Sequence, residues 1–300
     1  MGVLGQVAIV RAFAAGPPPP VAPTDRPVAS RAMDLSTLTT IRYVAADGVA
    51  TITLERPDHY NAFTTAMCDE MAATWAHVRS DDSVRAVVVT GSGEKAFCTG
   101  IDRSEVPADD GVEFSFDPLT YRDPGGRLGP RSNECWKPVI AAINGMACGG
   151  AFYLLGEADI LVAADHATFF DPHVTYGMPA VFEPALMLQH MPFGEVMRMT
   201  LLGNHERISA ARALEIGLVT EVVPAAALAT TAQRIAAAIA SQPPAAVQAS
   251  LRSLWAAREL TRSQMLDAGN TFLNLAMSKE ALAEGQAVFA SGQRIDPKIR

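Results

Sequence analysis

The sequence predicts an α/β fold, a parallel sheet wound with crossover helices and followed by a helical C-terminal region. Three observations predict it. The runs "RAVVVTG", "PVIAAING" and "ADILVAA" are short, apolar and β-branched, as strands buried on both faces are. Strands alternating with helical segments make a parallel sheet. From about residue 224 onward the pattern is helical throughout.

Each element follows in order. Residues 1–36 are rich in Ala and Pro and have no hydrophobic period, which predicts a disordered leader. Gln6 and Arg11 interrupt "MGVLGQVAIVRAF", a weak secretory signal, so Met33 is expected to open the folded part. "IRYVAADGVATITLE" reads as a hairpin about an Asp-Gly turn. In "TTAMCDEMAATWAHVRSD" the residues Met67, Met71, Trp75 and Val78 recur at helical spacing. The charged, irregular segment 103–136 predicts a mobile flap over a site. "PVIAAINGMACGGAFYLLGEADILVAA" reads as strand, glycine turn, short helix, strand. Asn144, Glu157 and Asp159 interrupt it, so it is not a membrane span. "ATFFDP" is a further short strand, and four amphipathic helices close the chain. The expected organisation is a leader over 1–36, an α/β core with the site over 37–223, and a helical self-association region over 224–300.

Composition narrows the function. With 300 residues, 49% hydrophobic, the chain can bury a large core. A net charge of −8 argues against nucleic-acid binding, which needs a basic face. An anionic small molecule is still compatible, because a few local Arg or Lys residues hold phosphates. Cys68, Cys98, Cys135 and Cys148 form no CxxC pair and have no histidine cluster beside them. They read as buried thiols of a reducing, cytoplasmic compartment, with no metal site.

Two glycine turns carry chemistry. "GSGEKA" fits a nucleotide-binding spacing, but it runs into "FCTGID", which has no helical period, so a dinucleotide site is not expected. "CTGID" and "NGMACGGAF" each put glycine where a buried strand ends, and Gly149 and Gly150 precede a short apolar helix. N–H groups at a helix start lack internal partners and sit at the positive end of its dipole. Two such turns could form an oxyanion hole for a thioester or ester enolate, or could simply be tight turns between packed elements. The spacing alone does not choose between them.

"ERPDHYNAFTTAM", "EKAFCTGIDRSEV", "PVIAAINGMACGGAFYLLGEADILVA", "ISAARALEIGLVTEVVP" and "EGQAVF" together resemble the crotonase (enoyl-CoA hydratase/isomerase) superfamily, from about residue 38 to 295. The resemblance implies a crotonase-like ββα spiral core with a C-terminal helical region, assembled as a homotrimer or a dimer of trimers. It implies an acyl-CoA substrate, no membrane partner, and no cofactor beyond the CoA that the substrate carries. The oxyanion N–H groups would come from Ile101 and Gly150. The CoA contacts map onto His59, Ala62, Asp102 and Arg103, with Lys95 a further phosphate partner. Ala151 replaces a usual third glycine.

The pattern breaks at the proton-handling positions. A typical hydratase of this family uses two glutamates, because adding water needs one group to activate it and one to protonate the α-carbon. Tyr153 and His173 occupy those two positions here. His173 is the foremost proton carrier because its ordinary pKa lies near neutrality. Asp171, two residues earlier in an extended segment, would face the same side and orient the ring. Glu183, an acid among apolar residues in "VFEPALM", suits proton transfer if desolvated, or is a helix N-terminal charge with Pro184 at the first helical position. Tyr153 could donate a hydrogen bond. One carrier suffices for double-bond isomerisation, so the reading is an enoyl-CoA hydratase/isomerase-like enzyme. The other readings are a non-catalytic acyl-CoA binder, or a CoA-thioester hydrolase or decarboxylase on the same scaffold.

Overall fold

The computed structural model describes residues 35–105, 123–292 and 297–299, and Met33–Arg300 forms one compact unit. Nearly all of the expected leader and the middle of the expected flap, residues 106–122, lie outside the described residues. The chain opens with the hairpin of β1 (Ile41–Ala46) and β2 (Val49–Leu54). Asp47 and Gly48 turn it with φ of 51° and 81°, the left-handed pair that a tight two-residue hairpin needs. Helix α1 (Thr65–Ser80) starts where the Thr64 side chain accepts the Met67 N–H. Met67, Met71, Trp75 and Val78 are fully buried along one face of it.

From there the chain winds between two sheets. Strands β3 (Ala86–Gly91), β5 (Val139–Ile143), β7 (Ile160–Ala164) and β10 (Glu221–Val223) extend the hairpin in the order β1-β2-β3-β5-β7-β10, parallel beyond the hairpin. The intervening strands β4 (Ala96–Cys98), β6 (Met146–Cys148) and β8 (Thr168–Phe170) form a smaller parallel sheet, completed by β9 (Ile208–Ser209). Each turn of this ββα spiral therefore leaves one strand in each sheet.

The large sheet is buried on both faces, which explains its unbroken apolar strands. Val87, Val89, Ala141, Ile143, Leu161 and Ala163 face α1 and the short helix α2 (Ala151–Leu155). Ala86, Val88, Ile140, Ala142, Val162 and Ala164 face a helix whose buried stripe is Leu228, Ala232, Ala236 and Ala240. To number the helices in order, α3 (Phe182–Met187), α4 (Phe193–Leu202) and α5 (Ala210–Glu215) precede that helix, which is α6 (Ala225–Ala240). Beyond it come α7 (Pro244–Glu259), α8 (Arg262–Asn274) and α9 (Lys279–Ala290). Trp255 ties α7 to the core by donating to Asp159 Oδ1 at 2.7 Å. Leu266, Leu273 and Phe289 on α8 and α9 are exposed.

The second half of the expected flap is pinned. Trp75 Nε1 donates to Leu128 O at 2.7 Å, and the Glu157 carboxylate accepts the N–H groups of Arg131 and Ser132. Gly129 lets the chain press on Glu157, whose carboxylate a Cβ there would meet at 2.2 Å. Charge and glycine content suggest freedom here; in the fold they serve close packing against α2. Among the described residues, no helix is long and apolar enough to cross a membrane.

Candidate active site

The site gathers at one end of the small sheet, in the turns that follow β4, β6 and β8. After β4 the chain makes a parallel bridge to Phe63. Phe63 N–H donates to Gly100 O, and Asp102 N–H donates to Phe63 O, both at 2.8 Å. In that arrangement the Ile101 N–H points away from Phe63. After β6, Gly149 with φ of +53° turns the chain into α2, and Gly150 caps the helix. Among the described residues, neither Ile101 N–H nor Gly150 N–H donates to a backbone carbonyl. The two turns meet at Gly100, with φ of +86°, where a Cβ would lie 3.0 Å from Gly150 N. Glycine at that point lets the second turn approach the first. Cys98 and Cys148, at the ends of β4 and β6, are buried thiols whose pKa desolvation pushes up to about 12, so they are packing groups.

After β8 come Asp171 and His173, the residues expected to handle protons. Asp171 is fully buried, and its Oδ1 accepts the His173 backbone N–H at 3.0 Å and faces His173 Nδ1 at 2.5 Å. The pairing differs in origin from the expected strand alternation. Pro172 ends the extended run and His173–Tyr176 forms a short 3₁₀ turn, so Asp171 reaches the ring as a turn cap. The other ring nitrogen, Nε2, lies 3.4 Å from Glu183 Oε1. Glu183 is buried at the second position of α3, one residue after Phe182, so Pro184 falls third rather than first. It is thus both a helix N-terminal charge and a desolvated acid. Desolvation raises its pKa above the ordinary carboxylate value. The Asp171 hydrogen bond raises that of His173 above 6.5. The imidazole lies against the glycine turn: a Cβ on Gly149 would sit 3.6 Å from His173 Cε1.

Tyr153 projects from α2 and donates its hydroxyl to Asp123 Oδ2 at 2.7 Å. A cavity of about 530 Å³ adjoins this pair, lined by Phe182, Leu186 and Gln189 of α3 and Trp255 of α7.

The expected CoA residues share one rim. Asp102 is buried and held ionised by Ser104 and Arg56, which bring its pKa down to about 2. Arg56 Nη2 reaches Asp102 Oδ2 at 2.8 Å, and His59 Nδ1 stands 3.7 Å from the same oxygen. Ala62 is buried and its carbonyl accepts Arg56 Nη1 at 2.6 Å. Arg103 is exposed and stacks over Tyr176, 4.7 Å from the ring centre, which joins the rim to the His173 turn. Sequence reasoning missed Arg56, Asn61 and Asp123. Asn61 has φ of 54° and clamps the loop by accepting Arg56 N–H and donating to Ser92 O and Ala96 O. An asparagine beside a turn was the one available signal.

Comparison with known proteins places the same architecture in one class. Residues 45–296 match the family model for enoyl-CoA hydratase/isomerase, and the chain belongs to that family, within the crotonase superfamily. It is 33% identical over 253 residues to the (E)-benzylidenesuccinyl-CoA hydratase of Thauera aromatica, covering 84% of this chain and 95% of the relative. It is 31% identical over 252 residues to the 1,2-epoxyphenylacetyl-CoA isomerase of Escherichia coli K12, covering 81% and 92%. A crystal structure of an enoyl-CoA hydratase/isomerase from Mycobacterium paratuberculosis superposes with a TM-score of 0.78 at 34% identity, covering 88% of this chain and all of that one.

Proposed function

We propose that the chain is an acyl-CoA enzyme that stabilises a thioester enolate at Ile101 N–H and Gly150 N–H and moves a proton with the His173–Glu183 pair. One observation carries this reading: the Asp171–His173–Glu183 chain lies against the glycine turn that presents Gly150 N–H. The thioester carbonyl accepts both N–H groups, and the charge that develops on its oxygen strengthens those bonds. A proton then passes between the substrate carbon and the pair. Asp171 holds the ring and favours its charged form, and burial favours the neutral form of the Glu183 carboxyl. The CoA portion lies along the rim of His59, Ala62, Asp102 and Arg103. The thioester is itself the electron sink, so the chemistry needs no separate cofactor.

The test is incubation with crotonyl-CoA and a 3-enoyl-CoA in deuterated water, followed by mass spectrometry. We expect deuterium in the acyl group, and its loss in His173→Gln or Glu183→Gln. Full turnover in both single variants would refute the proton-transfer assignment. Binding of both thioesters without exchange would favour a non-catalytic acyl-CoA binder. The exposed apolar residues of α8 and α9 support self-association, and the family resemblance implies a homotrimer or a dimer of trimers, a count that light scattering measures.

A further inference from the structure

Adding water to a double bond needs a second proton-handling group, and the sequence puts Tyr153 where the resemblance leads one to look for a carboxylate. A carboxylate is nevertheless present, on another element. Asp123 Oδ2 accepts the Tyr153 hydroxyl at 2.7 Å, and its Oδ1 accepts the Gly125 N–H, also at 2.7 Å. The tyrosine ring packs on Gly125, where a Cβ would stand 2.4 Å from its Cε2. Aspartate and ring are thus fixed by the same three-residue turn. Both line the cavity of about 530 Å³, which has room for water and an acyl group. Asp123 is also close enough for its charge to act on both His173 and Glu183. Tyr153 lies three residues beyond Gly150, on the helix that Gly150 caps. Tyr153 thus shares one short helix with the Gly150 N–H, and the cavity is bounded by α3, the helix that carries Glu183.

We propose that Tyr153, backed by Asp123, takes the proton of an attacking water, which makes this site a hydratase for 2-enoyl-CoA thioesters and not an isomerase alone. The inference rests on the acyl-CoA reading above. In the step, the water oxygen bonds to C3 and the C2=C3 π pair moves toward the thioester oxygen. The water proton passes to Tyr153 Oη as the phenolic proton passes to Asp123 Oδ2. C2 then takes a proton from the His173–Glu183 pair. Solvent removes the proton from Asp123 and restores the one the pair gave up, so the net change is addition of one water. Asp123 acts through Tyr153 and is a positioning residue. Tyr153 would touch the water.

The test compares two reactions of one protein: hydration of crotonyl-CoA in ¹⁸O-labelled water, and deuterium uptake into 3-butenoyl-CoA. The second needs only the His173–Glu183 pair. Tyr153→Phe and Asp123→Asn are expected to cut hydration by about 100-fold or more and deuterium uptake by far less, the pair feeling only the lost Asp123 charge. Asp123→Glu should recover part of the hydration. Equal loss of both reactions in both variants, or hydration unchanged in both, would overturn the proposal. Wild-type protein that exchanges deuterium but adds no water would overturn it too and leave the isomerase reading standing. Failure of the wild type in both reactions would remove the enzyme reading above and this inference with it.

Discussion

Asp171→Asn isolates one charge. Both contacts to His173 end on the same oxygen, Oδ1, at 3.0 Å to the backbone nitrogen and 2.5 Å to Nδ1. An asparagine keeps that oxygen as an acceptor of both. Its amide nitrogen falls where Oδ2 now stands, a buried atom with no hydrogen-bond partner among the described residues. The shape is kept and the anion is lost. Hydrogen bonds to a charged partner contribute about 1.5–3 kcal/mol, neutral ones about 1 kcal/mol, so the imidazolium loses about 0.5–2 kcal/mol of support. His173 should therefore titrate at lower pH in the variant than in the wild type. The native pKa is raised, so the stability this contact adds is full below pH 6.5 and lost as pH rises through the native value. The variant loses that stabilisation on the acid side and converges with wild type on the alkaline side. NMR of ¹³C-labelled histidine rings gives the titration, with His173→Gln identifying the resonance. The pH–rate profile should move by the same interval. An unmoved resonance and an unmoved profile would refute the view that Asp171 holds the charged ring.

Other perturbations reach other parts of the site. Gly100→Ala puts a methyl 3.0 Å from Gly150 N at a φ of +86°, and should lower kcat about 100-fold with the far-UV spectrum unchanged. Glu183→Gln should gain stability on wild type above the ordinary carboxylate pKa near 4.5. The native pKa is raised, so wild type loses stability as pH rises and the variant does not. Urea melts at acid and neutral pH check the sign, and an identical difference at both would contradict it. Trp75→Ala should cost about 4 kcal/mol, because the indole is fully buried and its N–H holds Leu128 O, with protease cleavage within residues 123–136 as a local readout.

The large elements were legible because their signals are local. Asp47-Gly48 marks the hairpin turn, four residues at helical spacing mark the buried face of α1, and β-branched runs mark strands buried on both sides. The small sheet was harder to read, since β4 and β6 have three residues each and Ala-rich or Cys-rich runs carry little strand preference. Asp171 beside His173 was legible as a pair, but its geometry came from a turn that Pro172 starts, which periodicity does not encode. Asp123 was not legible at all. It lies 30 residues from Tyr153, in a stretch whose composition suggests mobility, and only the packing of Gly125 on the tyrosine brings them together.

Three successive strands of the small sheet deliver the three parts of the site: Ile101 after β4, Gly150 after β6, and Asp171 with His173 after β8. Each part occupies its own winding of the chain, with its own turn and its own hydrogen bonds. A substitution in one winding reaches the others where their turns touch, as Gly100 meets Gly150 and Gly149 meets His173. On the assignments proposed above, such a layout keeps the two glycine turns on windings of their own, apart from the one that carries His173. On that reading the scaffold is a socket of fixed polarity, and the acid or base set into it is a separate choice.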